Sequence, residues 1–371
     1  MTSITSVEVI MDTQGYFHTF PAVRGVQAGR PFFIAMCPLK LVPRLFVFDE
    51  EEVPPDMRAQ RTLNRARIPE IAEYLVTHPE SYVLSALTAS VNGDVQFLPL
   101  EDARQPSLGL LQIPMDASIL INDGQHRRAA IEEAIKQRPE VGQDNIPVLF
   151  FVDEGLHRSQ QMFADLNKYA VRPSYSLSTL YDHRDAGSDL ARFLAANCLT
   201  FKGLTEMEKS TISNRSTKLF TLSGIKHASR ALLKKQLKQD VSVEEKLLAK
   251  EYWEAVSEQI PDWTRARTRE VSTAELRQDY VHAHGVTLHA LGIAGAALLS
   301  SQPKAWRSKL KALRSIDWSR SNIDLWEGRA MQHGRISKAN TNVHLSANLI
   351  KQALGVKLSP EDAAIEAQRS A

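Results

Sequence analysis

The pattern of apolar residues changes period once along the chain, and that change limits the folds open to it. Up to about residue 188, short β-rich runs alternate with amphipathic stretches of helical period. Strands are expected at Ser6 to Met11, Arg30 to Met36, Leu45 to Phe48, Tyr82 to Val91, Val95 to Leu98, Ser118 to Ile121 and Ile146 to Val152. Asn92-Gly93-Asp94 falls between two of these runs and predicts a hairpin. Helices are expected over Asn64 to Thr77, Gln125 to Arg138 and Ser159 to Asn167. Past this point helical runs dominate: Ser176 to Asp182, Asp189 to Asn197, Asn214 to Lys238, Ser242 to Gln259, Thr273 to Leu299, Lys304 to Leu313 and Thr341 to Leu354. The tail after Ser359 is small and polar and is expected to fray. The pattern predicts an α+β protein: a mixed α/β domain over residues 1–188, a boundary in Asp182 to Ser188, and a helical domain over residues 189–371.

Charge follows the same division. Residues 1–190 hold 17 Lys and Arg against 25 Asp and Glu, whereas residues 191–371 hold 28 against 18. The net charge of +2 therefore conceals an acidic half and a basic half, a pointer to nucleic acid for the basic part and equally compatible with two domains that pack together. The most apolar stretch, Gly285 to Leu299, is too short for a membrane span and carries His289. The N-terminal residues lack a basic segment before an apolar run, so no signal peptide and a cytoplasmic location are expected. Cys37 and Cys198 are too few for a disulfide framework or a four-ligand zinc site.

One segment concentrates chemistry. The apolar run Ile119-Leu120-Ile121 passes through Asn122-Asp123-Gly124 directly into the amphipathic stretch that begins at Gln125. Asp123 is the expected N-cap, and Gly124 allows a tight turn or a close backbone approach to a ligand. The first N–H groups of such a helix, with its dipole behind them, attract anions. Arg127 or Arg128 can close on a phosphate from within that turn. Asp123 and His126 are the candidates for acid–base chemistry. An ordinary capped helix with solvated arginines fits the same residues.

Further cations cluster. Arg61, Arg65 and Arg67 precede a helix, and their spacing fits either a phosphate-binding face or pairing with Glu51, Glu52 and Glu70. Lys209, Arg215 and Lys218 lie beside the hydroxyls of Ser210, Thr211, Ser213 and Ser216. Arg307, Lys309, Lys311 and Arg314 are interleaved with Trp306 and Trp318. Basic residues among aromatics can track a nucleic-acid backbone, although each cluster also reads as a solvated helix face. His282, His284 and His289 are not spaced to share a helix face, so no protein metal site is expected. Cys37, at the end of an apolar run, reads as a buried structural thiol.

The string Asp123-Gly124-Gln125-His126-Arg127 is the signature of DGQHR-domain proteins, and the chain resembles the DndB family of DNA sulfur modification over roughly residues 20–350. The resemblance rests also on Gln60 to Pro69, Gln161 to Lys168, Val171 to Ser174, Leu180 to Asp185 and Glu208 to Ser216; Tyr169 and Tyr175 depart from the pattern. It implies a first domain similar to the ParB/sulfiredoxin fold. There Asp123, Gly124, Gln125, His126 and Arg127, with Asn167 and Lys168, would hold the phosphates of a nucleotide such as ATP with Mg. It implies a DNA-binding transcriptional regulator of phosphorothioate modification genes, in a system whose restriction partners spare marked DNA. Its expected partners are promoter duplex DNA and other sulfur-modification proteins, and an oligomer is open. Two other roles remain open at this point: an ATPase or ParB-like nuclease, and an accessory subunit of the sulfur-transfer enzymes that does not touch DNA.

Overall fold

The computed structural model describes residues 16–46, 65–100, 105–152, 161–162, 164–166, 173–237 and 239–370. The expected strand at residues 6–11, Arg61, Asn167 and Lys168 lie outside them. The protein is α+β, and the chain divides into two compact units, Met1–Val171 and Arg172–Ala371. Residues 172–188 thus fall in the second unit, not in the first as the sequence pattern suggests.

The first unit is built on a seven-stranded mixed sheet. Its strands are β1 (Phe17–Gln27), β2 (Arg30–Pro38), β3 (Leu87–Asn92), β4 (Gln96–Pro99), β5 (Leu108–Pro114), β6 (Ser118–Asp123) and β7 (Asn145–Val152), in the order β4-β5-β1-β2-β7-β3-β6. Only β3 and β7 run parallel; the other neighbours are antiparallel. Strict alternation sets one face inward: Phe33, Ala35 and Cys37 of β2 are buried while Ile34 and Met36 are exposed. Ala72 and Leu75 of helix α1 (Ile68–Thr77) and Ala130, Ile131 and Ala134 of α2 (Gln125–Gln137) complete this core. Burial pushes the Cys37 thiol up to about 12, consistent with a packing role.

Sequence pattern and structure differ at three places here, the first for a topological reason. Asn92-Gly93-Asp94 does not close a hairpin, because β6 and β7 already occupy both edges of β3; the chain leaves and β4 pairs with β5 instead. Tyr82 to Ala86 lie outside the strand, which begins at Leu87. Of the strand expected over Leu45 to Phe48, residues 47–48 lie outside the described residues, and Leu45 ends a helical turn, Val42–Leu45, that packs beside α2.

The second unit contains α3 (Tyr175–Tyr181), α4 (Ala186–Asn197), α5 (Leu222–Leu232), α6 (Val243–Ser257), α7 (Pro261–Thr268), α8 (Thr273–Asp279), α9 (Gly285–Ser301), α10 (Asn340–Ala353) and α11 (Pro360–Ser370). Its described strands are two pairs of two-residue segments. The helix expected over Asn214 to Lys238 is confined to α5. Residues before it are held extended or in turns, since Arg277 donates to the carbonyls of Ser213, Asn214, Ser216 and Lys218. The run Thr273 to Leu299 is broken at Tyr280, which is extended and bridges Ser319, and again at the extended His284. Lys304 to Leu313 is one α-helical turn, Trp306–Lys309, continued as 3-10 helix. No helix among the described residues is long and apolar enough to cross a membrane.

The tail does not fray. Helix α11 docks through charge: Arg329, 6% exposed, donates to the Leu345 carbonyl at 2.6 Å and to the Glu366 carboxylate, and Lys351, 5% exposed, meets Asp362 at 2.7 Å. Glu366→Ala leaves a buried guanidinium without its counter-charge. Breaking a buried pair costs about 3–5 kcal/mol, and the partial exposure of Glu366 places this case at the lower end. Urea denaturation is expected to show that loss; an unchanged midpoint would mean that α11 is not docked in solution.

Candidate functional site

The joint between β6 and α2 is built from a bulge and a left-handed residue. The β3–β6 register runs regularly from Asn92↔Ser118 to Ala89↔Ile121 and then shifts, so that Thr88 opposes Asp123 and Asn122 is the extra residue. Asn122 is fully buried and accepts from Ser90 Oγ at 2.9 Å. Gly124, at φ +110°, turns the chain into α2 and is its N-cap, with no capping side chain. The expectation that Asp123 caps the helix is therefore corrected. The bulge carries Asp123 out of capping position and into an ion pair with Arg127 one turn later, at 2.7 Å.

The arginines of the first turn are anchored. Arg127 also donates to the Ala86 carbonyl at 3.1 Å, and its guanidinium lies over Gly124, where a Cβ would come within 3.0 Å of it and 2.4 Å of Leu87 Cδ2. Arg128 bridges Glu132 and the Pro43 carbonyl, both at 2.7 Å, and so ties α2 to the turn Val42–Leu45. Gln125 is buried and donates weakly to the carbonyls of Ile121 and Asn122, while His126 is half-buried. The five residues Asp123, Gly124, Gln125, His126 and Arg127 thus share one turn. For Arg127 to clamp a phosphate, it must exchange Asp123 for the ligand.

On the sheet face away from α2 lies a feature that no sequence spacing signals. Thr88, the cross-strand partner of Asp123, lines a cavity of about 530 Å³ with Leu149, Phe151, Gln161, Met162 and Asp165. These residues come from separate strands and from the block that carries Gln161. Such a volume suits a small ligand, and its walls are mainly apolar.

The basic clusters separate into structural and exposed members. Arg65 and Arg67 are exposed on a 3-10 turn before α1. Lys209 and Arg215 are exposed, whereas Lys218 donates to the Gly203 carbonyl at 2.9 Å. Arg307 is paired with Glu251 and lies over the Trp306 ring; Arg314 donates to the Glu258 carbonyl. Lys309 and Lys311 are exposed and make no ion pair among the described residues. The aromatic half of this cluster is corrected: Trp306 and Trp318 are 7% and 8% exposed and belong to the core, so neither offers a face to a base. The three histidines have three separate surroundings. His282 accepts from Trp263 Nε1 at 3.1 Å, His284 contacts the Arg277 carbonyl at 2.7 Å, and His289 lies near His227.

Comparison with known proteins gives one match. A family model described as DndB, DNA-sulfur modification-associated, covers residues 20–357. No curated protein and no solved structure matches the chain.

The joint makes a sharp demand on Gly124. Gly124→Ala places a side chain at a left-handed φ and against Leu87, adding backbone strain of about 1–3 kcal/mol to an overpacking cost of similar size. Thermal or urea unfolding is expected to show a loss of at least about 2 kcal/mol. Asp123→Asn, by contrast, removes only a partly exposed pair one helical turn apart and is expected to cost about 0.5 kcal/mol or less. Equal effects would contradict this assignment of roles.

Proposed function

The chain belongs to the DndB family of DNA-sulfur-modification-associated proteins, and from that premise we propose that it is a DNA-binding transcriptional regulator of a phosphorothioate modification gene cluster, responsive to nucleotide at the Asp123 to Arg127 turn. The observation that carries the DNA reading is the basic excess of the second half, 28 Lys and Arg against 18 Asp and Glu, with Lys209, Arg215, Lys309 and Lys311 on its surface. Cations without internal partners release counterions from a DNA backbone, which is the main source of sequence-independent affinity. The promoter of the modification genes is the proposed partner, and other sulfur-modification proteins are further ones.

The nucleotide part rests on the joint. Its helix start presents backbone N–H groups, and Arg127 supplies a guanidinium. ATP with Mg would meet Arg127 and the first-turn N–H groups through its phosphates, and Asp123 through the metal. With Asp123 turned to the metal and Glu132 held by Arg128, neither carboxylate of this turn is left to act as a base, which favours binding over hydrolysis as its role.

The test is binding to the promoter fragment across a salt series, with and without ATP. Affinity is expected to fall steeply with salt, and the double charge reversal Lys309→Glu with Lys311→Glu is expected to reduce the log–log slope by about two units. A flat response contradicts DNA-backbone binding, and an unchanged slope in the variant moves the contact to the Arg65 to Arg67 face. Arg127→Ala is expected to weaken ATP binding roughly tenfold to a hundredfold, through the lost charge-assisted pair. Normal ATP binding by that variant would make the arginine purely structural.

A further inference from the structure

Strand alternation gives the sheet of the first unit a second face. Leu87 and Ala89 of β3 point into the core shared with α1 and α2, so Thr88 between them points the other way. The parallel register sets Leu149 of β7 beside Thr88 and Phe151 beside Ser90, on that same outer face. Thr88, Leu149 and Phe151 line the cavity of about 530 Å³ together with Met162, Asp165 and Gln161. Phe151 is held in place by its cross-strand neighbour Phe32, with the two rings stacked and their centroids 5.5 Å apart. The apolar part of the wall therefore belongs to a paired, regular sheet.

An independent observation points to a ligand. Thr88 is only 7% exposed, and its hydroxyl makes no hydrogen bond among the described residues; the oxygen is not sealed off but open to the cavity that Thr88 lines. Hydroxyls at such depth are normally matched, so this donor and acceptor serves what enters the cavity. The remaining polar groups set the chemistry. Gln161 donates to Asp165 Oδ1 at 2.8 Å, which steadies the carboxylate and leaves its second oxygen to accept. No Lys, Arg or His appears among the described lining residues. The cavity therefore disfavours a phosphate and suits a flat, largely apolar body that presents N–H groups at one edge.

We infer that this cavity binds a guanine base, separately from the Asp123 to Arg127 turn, with Asp165 accepting from the base edge, Thr88 bonding within the pocket, and Leu149, Phe151 and Met162 covering the ring. Guanine carries N1–H and N2–H side by side, a pair that one carboxylate can accept, whereas adenine offers an amino group beside a ring acceptor. The volume admits a base with its sugar. A free guanosine and a guanine turned out of a DNA strand present the same edge and are the two sources of this ligand.

Calorimetric titration of the full chain with guanosine, adenosine and GMP tests this. Guanosine is expected to bind about tenfold more tightly than adenosine, and GMP no more tightly than guanosine. Asp165→Asn is expected to weaken guanosine roughly tenfold to a hundredfold and to erase its advantage over adenosine. Thr88→Val removes the hydroxyl at nearly constant shape; it is expected to weaken guanosine roughly threefold to tenfold without lowering Tm. Asp165 is exposed, so its variant keeps the test open if Thr88→Val is unstable. Arg127→Ala is expected to leave guanosine binding intact, which separates this cavity from the turn. A single-stranded oligonucleotide with one guanine distinguishes the sources: binding that needs both the guanine and Asp165 assigns the base to DNA, and binding of guanosine alone assigns it to the free nucleoside. The inference is overturned if neither guanosine nor the oligonucleotide binds, if adenosine matches guanosine, or if the Asp165 and Thr88 variants both bind as wild type does. Tight GMP binding that is lost with Arg127→Ala overturns it by placing the nucleotide at the turn.

Discussion

The close approach of α9 to its neighbours is the constraint on which the helical unit depends. A Cβ at Gly292 would lie 2.1 Å from the Ala228 carbonyl oxygen of α5, and one at Gly295 would lie 2.4 Å from the Tyr252 hydroxyl of α6. Neither neighbour can yield, since the first is helix backbone and the second is a fully buried ring whose hydroxyl donates to the Leu291 carbonyl at 2.7 Å. With α9 locked this way, α5 and α10 pack along it and all three begin at the same end. The aromatic cluster around Phe201, Phe220, Trp253 and Trp263, in edge-to-face contacts, fills the space behind α5 and α6. The close packing of α5 and α6 against α9 thus depends on two missing side chains.

The sheet unit depends on a different backbone device. One extra residue in β6 and one left-handed glycine carry the chain from a buried strand into a helix within two residues. The bulge gives Asp123 to Arg127, and Arg127 in turn closes over Gly124. What looks in sequence like a helix capped by Asp123 is therefore a helix start at which Asp123 and Arg127 pair with each other.

Much of this was legible in the amino-acid order, and the misses share a cause. The β6–α2 joint is visible because an apolar run meets Asp-Gly and then a helical period with no spacer. The identity of the cap is not visible, because a bulge depends on the register with β3. The strands β1 and β5 are absent from the expected set; Pro21, Gly25 and Gly109 interrupt their apolar pattern, yet Gly109 is needed where the Leu98 carbonyl would meet a Cβ at 2.2 Å. Asn92-Gly93-Asp94 carries a genuine turn signal whose partner strand was taken by others. Trp306 and Trp318 alternate with cations in sequence while their rings turn inward. Helix α11 has little apolar surface to betray it, since its docking rests on Arg329 and Lys351 finding carboxylates.

The central claim is that DNA is held by the exposed cations of the helical unit. Amide hydrogen exchange of the full chain, with and without the promoter duplex, locates the contact directly. The account expects new protection at residues 209–218 and 306–314, with little change across 65–77. Protection confined to 65–77, with the helical segments unchanged, would contradict it.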